Sequence, residues 1–257
     1  MTHRSPRFAH RTALVTGGGS GIGQAVALAF AREGANVVVA GRTAARLAET
    51  VNLVEIEGGK AAAVVTDITQ PEDVIELVQQ TTERFGSLDI AINNAGVLRG
   101  IGPVGDVSDE DWQILLDTNM TGVLRTMRQE IAQMRTQSEG GTIVNISSNL
   151  GAHLRIPNLG AYLATKAAVS ALSRAAALDH IHESIRINSV SPGASATTMS
   201  LRPGEAHAER AIRMKDESPV GRVSTLEEIA AAVLYVASPE AASVVGTDLV
   251  VDGGASA

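Results

Sequence analysis

Residues 12–30 read "TALVTGGGSGIGQAVALAF", and the order of residue types in this stretch decides the fold. A β-branched run from Thr12 stops at Gly17, Gly21 and Gly23 follow, and an Ala- and Val-rich helical pattern begins near Ile22. A glycine-rich turn lets backbone approach a pyrophosphate closely, and the helix it opens offers unpaired N–H groups and the positive end of its dipole. The spacing is G-x-x-x-G-x-G rather than G-x-G-x-x-G, and glycines alone could merely close a tight strand-to-helix turn. Position at the first strand and first helix of a longer alternation marks this turn as a phosphate cradle.

That alternation runs to the end of the chain. Strand candidates are "TALVTG" from Thr12, "NVVVAG" from Asn36, "AAAVVTD" from Ala61, "LDIAINNAG" from Leu88, "GTIVNISS" from Gly141, "IRINSVSPG" from Ile185 and "DLVVDGG" from Asp248. Helical segments begin near Ile22, Thr43, Pro71, Asp109, Gly160 and Thr225. Near-continuous apolar strands separated by amphipathic helices require a parallel sheet covered on both faces. The fold class is α/β, a single-domain doubly wound (Rossmann) parallel sheet of about seven strands with helices on both faces. Thr69 ahead of Pro71, Ser108 ahead of Asp109, and Thr225 ahead of Glu227 and Glu228 are the expected helix starts. Residues 1–10 are expected to form a flexible tail and residues 11–257 one domain. The weakly periodic stretch 198–222 reads either as a substrate lid or as a solvated excursion.

Composition removes several function classes. A net charge of −7 argues against a nucleic-acid surface, which needs a basic face. The absence of cysteine excludes disulfides, a thiolate nucleophile and a Cys-based zinc site, and no His/Asp/Glu spacing suggests a metal. The N-terminus is basic but is followed by too few apolar residues for a secretory core, and the longest apolar run, "AAAVLYVA" from Ala230, is too short to span a bilayer. The expectation is a soluble, cytoplasmic protein with no membrane partner. Aromatic residues make up 2% of the chain, so each becomes conspicuous.

One of only two tyrosines, Tyr162, stands four positions before Lys166 in "AYLATK", on one face of a helix. A phenol with an ordinary pKa near ~10 is a poor base at neutral pH. A neighbouring ammonium favours the phenolate, and a tuned phenol can give or take a proton. Upstream, "NISSNLG" places two hydroxyls at the carboxyl end of a strand, where open α/β sheets bind ligands and where a hydroxyl can stabilise charge on a carbonyl oxygen. At the end of the second strand, a carboxylate would meet the 2′-hydroxyl of NAD and a base the 2′-phosphate of NADP. The chain has Gly41 and Arg42 there and no carboxylate, which favours NADP(H).

"TGGGSGIG", Asp67, "NNAG" from Asn93 to Gly96, Asn119, "ISS", "YLATK", "SPGASAT" and "VDGG", in this order, resemble the short-chain dehydrogenases/reductases over nearly the whole chain. The resemblance implies an NAD(P)-dependent oxidoreductase acting on CH–OH or C=O groups, with a small-molecule carbonyl or alcohol as substrate, and a homotetramer. It makes Tyr162 the general acid/base and Lys166 the residue that tunes it and binds the nicotinamide ribose. Ser148, which with Gly151 satisfies the family's Ser-x-x-Gly pattern where Ser147 does not, polarises the substrate oxygen. Asn119 resembles the helix asparagine that holds a water linking Lys166 to solvent. Gly17, Ser20, Gly21, Ile22, Gly23, Asp67, Ile68, Asn94, Gly96, Pro192 and Gly193 line the cofactor, with Thr197 reaching the carboxamide. Many NADP-preferring relatives carry a base just before Gly21; here it is Ser20, so NAD(H) stays open.

His153 and Arg155 follow Ser148 and read either as pocket residues for an anionic or polyhydroxylated substrate or as solvated loop. Two function classes remain: an oxidoreductase, with 3-oxoacyl thioesters, sugars and xenobiotic ketones as candidate substrates, and a nucleotide-sensing binding protein without turnover. The Ser148, Tyr162 and Lys166 set favours the first.

Overall fold

The computed structural model describes residues 6–257. Seven strands, β1 (Thr12–Thr16), β2 (Asn36–Gly41), β3 (Lys60–Val65), β4 (Ile90–Asn93), β5 (Gly141–Ile146), β6 (Ile185–Pro192) and β7 (Asp248–Val251), form one sheet in the order β3-β2-β1-β4-β5-β6-β7. Every neighbouring pair is parallel. Strand order reverses between β1 and β4, and the crevice outside the carboxyl ends of those two strands is where such sheets take ligands.

The helices in chain order are α1 (Gly21–Arg32), α2 (Ala44–Ile56), α3 (Pro71–Phe85), α4 (Asp109–Leu115), α5 (Val123–Met134), the single turn α6 (Asn149–Ala152), α7 (Gly160–His180), α8 (His207–Glu217) and α9 (Leu226–Ala237). Strand residues alternate between two cores. Val15, Val37, Val39, Ile92 and Val144 meet α1, α2 and α9 on one face. Leu14, Val38, Ala91, Ile143 and Ile187 meet α3, α5 and α7 on the other. Burial on both faces explains why the strands read as continuous apolar runs. No helix among the described residues is long and apolar enough to cross a membrane.

Ser108 and Thr225 cap their helices as expected, accepting from the amides of Asp111 and Glu228. Thr69 does not: Gln70 occupies the cap position of α3, and the Thr69 hydroxyl turns back to Asp67 Oδ1 at 2.8 Å. Part of the expected N-terminal tail can be followed in the structure. Residues 1–5 lie outside the described residues, but Phe8 is buried edge-on against Phe30 with ring centroids 4.9 Å apart, and its amide donates to the Glu33 carbonyl. One aromatic with an apolar slot to fill is enough to fasten residues 6–10 to the end of α1. The stretch 198–222 contains α8, whose Arg210 and Met214 are buried although most of its other residues are polar.

Candidate active site

The turn after β1 is built for close approach. Gly17 has φ +66, and a Cβ there would sit 2.7 Å from Asn94 Nδ2; at Gly23 a Cβ would collide with the carbonyl oxygen of Gly17. Asn94 sews this turn to the end of β4, its side-chain amide donating to the carbonyls of Thr16 and Gly17 at 3.0 and 3.2 Å. A Cβ on Gly21 would lie 3.2 Å from Thr197 Cγ2, which brings the loop after β6 to the mouth of the cradle. Ser20 is exposed at the start of α1, where its side chain makes no capping bond. Ile22 packs on the core below, while buried Ile68 lies against Gly122. Asp67 holds Thr69 through its amide and hydroxyl. Pro192 ends β6, and Gly193 lies against Asp252.

Arg42 is exposed at the carboxyl end of β2 and has no ion-pair partner among the described residues. The sequence reading missed its neighbour Arg46. The first turn of α2 brings Arg46 Cβ to 3.0 Å from where a Gly19 side chain would begin, so a second base stands beside the cradle. The signal available was the four-residue spacing from Arg42.

Around the crevice, Tyr162, Lys166 and Ser148 come together although they leave two different segments. Tyr162 and Lys166 are buried in the first turns of α7, and the ammonium lies 6.0 Å from the phenol ring centroid. Lys166 Nζ donates to the Ile146 carbonyl at 2.9 Å. Burial pushes the Tyr162 phenol up to about 12, opposed by its hydrogen bond with Ser148, and pushes Lys166 down to about 8. In this structure desolvation therefore dominates the tyrosine, rather than the ammonium expected to depress it.

The two adjacent serines separate cleanly. Ser147 donates to the Lys166 carbonyl at 2.8 Å and lies 2.9 Å from Ser170 Oγ, so its hydroxyl serves the packing of β5 against α7. Ser148 Oγ accepts from the Leu150 amide at 3.1 Å and reaches Tyr162. Asn119 is fully buried in a π-helical turn, Leu116–Gly122, between α4 and α5. Its side-chain amide brackets Val97, accepting from the Val97 amide at 2.8 Å and donating to the Val97 carbonyl at 2.9 Å, with a further bond to Thr165. A Cβ on Gly96 would lie 3.3 Å from Asn119 Oδ1 and 3.5 Å from Lys166 Nζ, so only glycine leaves this corner open.

His153 takes neither of its expected places, since its Nε2 is 2.9 Å from Asp248 Oδ2 on β7. Arg155 is exposed. Arg210 of α8 was also missed: it is buried and donates to the Thr197 carbonyl and Ser200 Oγ, both at 2.7 Å, pinning the loop that faces Gly21.

Residues 17–256 match the protein family described as Enoyl-(Acyl carrier protein) reductase. The chain is 38% identical, over 99% of its length and 98% of the relative's, to the A-factor type gamma-butyrolactone 1'-reductase (1S-forming) of Streptomyces virginiae. It is similar in structure to carveol dehydrogenase from Mycobacterium avium, solved in complex with NAD, at a TM-score of 0.92 and 30% identity over 97% of this chain and 99% of that one. A short chain dehydrogenase from Burkholderia cenocepacia J2315, solved in complex with NADP, gives a TM-score of 0.88 and 32% identity over 98% and 100% of the two chains.

Proposed function

The chain belongs to the short-chain dehydrogenase/reductase family, and from that premise we propose that it moves a hydride between NADP(H), in preference to NAD(H), and a ketone or secondary alcohol, with Tyr162 handling the proton. It is an oxidoreductase of alcohol or carbonyl groups. The observation that carries the reading is the buried Tyr162 phenol, one helical turn from Lys166 and near enough to Ser148 to feel its hydroxyl.

The residues present fit a nicotinamide dinucleotide. The turn at Gly17, Ser20, Gly21, Ile22 and Gly23 has no room for side chains at its two tightest points and would hold the pyrophosphate. Arg42 and Arg46 would hold the 2′-phosphate of NADP(H), and Asp67 and Ile68 the adenine end. Asn94, Gly96, Pro192, Gly193 and Thr197 would surround the nicotinamide end. Bound there, the nicotinamide supplies or accepts the hydride.

The chain's own groups do the rest. Burial keeps Tyr162 protonated at neutral pH, the form that gives a proton to a carbonyl oxygen gaining negative charge. Ser148 would donate to the same oxygen. Lys166 directs one N–H to Ile146 and keeps others for a ribose hydroxyl and the phenol. The acid form of Tyr162 favours reduction at neutral pH, and alcohol oxidation should rise as pH rises. The convergence of Ser148, Tyr162 and Lys166 supports turnover over mere nucleotide sensing. β7 is an edge strand whose four residues all stay partly exposed, which supports the expected homotetramer.

A cofactor-coupled absorbance screen with NADPH and NADH, across ketones, 3-oxoacyl thioesters and, in reverse, alcohols and sugars, tests the reading. The expected result is reduction of at least one ketone with NADPH favoured. Cofactor binding without turnover across the whole panel would instead make the protein a sensor.

A further inference from the structure

The segment that carries Ser148 leaves β5 as an irregular turn rather than a regular helix. Within α6, Leu150 and Gly151 have non-helical dihedral angles, Gly151 at φ +124, and the turn closes through Gly151 N–H to the Leu154 carbonyl and Leu154 N–H to the Asn149 carbonyl, both at 2.8 Å. Beyond the bond of the Ser147 amide to the Val190 carbonyl and the packing of Gly151 on α7, a pair of side chains ties this segment to acids near the C-terminus. Asn149 Nδ2 donates to Asp252 Oδ2 at 3.1 Å, and His153 Nε2 lies 2.9 Å from Asp248 Oδ2.

Asp248 is more than a surface partner. Its side chain has no exposure, and it also accepts from Ser191 of β6. Burial works against its ionisation, yet the polar groups around it, Ser191, Ser170 and His153, outweigh that and hold the carboxyl below its ordinary range. Ser170 stands one turn beyond Lys166 and lies 2.9 Å from Ser147, which donates to the Lys166 carbonyl. A single carboxylate thus ties the segment bearing Ser148 to β6, through His153 and Ser191, while Ser147 ties the end of β5 to the helix bearing Tyr162 and Lys166. The place of Asp248 at the first residue of β7 fixes that segment against the sheet.

We propose that His153 and Asp248 form a positioning pair for the catalytic hydroxyls, setting the placement of Ser148 against Tyr162 from outside the site. The proposal rests on the hydride-transfer reading above. A strut of this kind acts on the transition state through geometry: it leaves cofactor binding at the glycine cradle alone and changes how well Ser148 supports Tyr162. The Ser148 bond lowers the phenol's affinity for its proton, so a misplaced Ser148 leaves Tyr162 harder to deprotonate.

The test compares the wild-type enzyme with His153→Ala, His153→Gln and Asp248→Asn, using a ketone and its alcohol that the wild type converts. His153→Ala is expected to lower kcat about tenfold with cofactor KM within about twofold, and to move the acid limb of alcohol oxidation to higher pH. His153→Gln keeps a side-chain donor and should restore most of both. Asp248→Asn, which keeps shape and loses charge, should shift the limb in the same direction and serves if His153→Ala does not fold. Wild-type kcat and an unmoved limb in His153→Ala or Asp248→Asn would overturn the pair. So would a loss of kcat that glutamine does not rescue, since that is a packing defect. A wild type that converts no substrate with either cofactor is a failure of the hydride-transfer reading, and so is distinguishable from a failure of the strut.

Discussion

Two buried polar clusters lie against α7, and they are built differently. At its start, Tyr162 and Lys166 open toward the carboxyl edge of the sheet with bonding capacity to spare: the lysine has one acceptor, Ile146, and the phenol has Ser148. Farther along, Asn93 of β4, Asn145 of β5, Glu130 of α5 and Ser173 of α7 bond to one another inside the core, away from the crevice. Asn93 Nδ2 donates to Glu130 Oε2 and to Asn145 Oδ1, both at 2.9 Å, and Asn145 donates to Ser173 at 2.8 Å. Both clusters contain a titratable group that burial pushes toward neutrality, Lys166 to about 8 and Glu130 to about 7. A perturbed pKa therefore does not mark a site by itself. What marks it is unspent hydrogen-bonding capacity facing a crevice.

The largest effect should come from removing the one group in the first cluster proposed to transfer a proton. Tyr162→Phe keeps the ring and its packing, and its kcat is expected to fall by about 10³-fold while cofactor still binds, read by fluorescence titration beside steady-state kinetics. Undiminished turnover would make the two clusters equivalent in kind, both merely structural. Next come the neighbouring serines, which divide the same way within one dipeptide. Ser148→Ala should cost about 10²-fold in kcat. Ser147→Ala loses only the bonds to Lys166 and Ser170, so it should leave kcat nearly intact and lower stability by about 1 kcal/mol in denaturant melts. Reversal of those two outcomes would reassign the catalytic hydroxyl.

A smaller effect is expected where the cradle meets solvent. Arg42→Asp removes one of the two guanidiniums beside the cradle that have no ion-pair partner among the described residues and adds a carboxylate that repels a 2′-phosphate, so the NADPH-to-NADH preference should drop by about tenfold or more. Arg46→Ala should lower it by less. Equal ratios before and after both changes would remove Arg42 and Arg46 from cofactor choice.

The chain order of strands and helices was legible because each strand is buried on both faces and so stands out as an apolar run between helical patterns. The Tyr162–Lys166 pair and the cradle were legible for a related reason: their spacing is local, four residues on a helix or a turn between a strand and a helix. What escaped depends on contacts across the sheet. His153 meets Asp248 over a separation of 95 residues, and Glu130 meets Asn93 over 37. No short window holds both partners. Arg46 escaped because its proximity to Gly19 depends on how α2 docks, and Phe8 because a single apolar residue carries no periodicity.

The second cluster supplies the effect that is smallest in turnover. Two buried atoms have no partner among the described residues, Glu130 Oε1 and Asn93 Oδ1, and they belong to two groups already joined by one N–H···O bond. Both are acceptors when the carboxyl is ionised; a proton on Glu130 supplies the donor that buried Asn93 Oδ1 lacks. Burial raises the carboxyl from 4.5 to about 7, so between those values the folded chain binds a proton that the unfolded chain releases. That contribution to stability is complete below pH 4.5 and is lost as pH rises through about 7, by roughly 3 kcal/mol. Glu130→Gln puts an N–H where the acid needs a proton and cannot titrate. Its denaturation midpoint should therefore lose most of the wild-type decline across this pH range and exceed the wild type on the alkaline side, with kcat within about twofold. Parallel stability curves for the two proteins would show that Glu130 is ionised in the fold. The clusters would then differ only in what they face, and no longer in whether a proton is left to give.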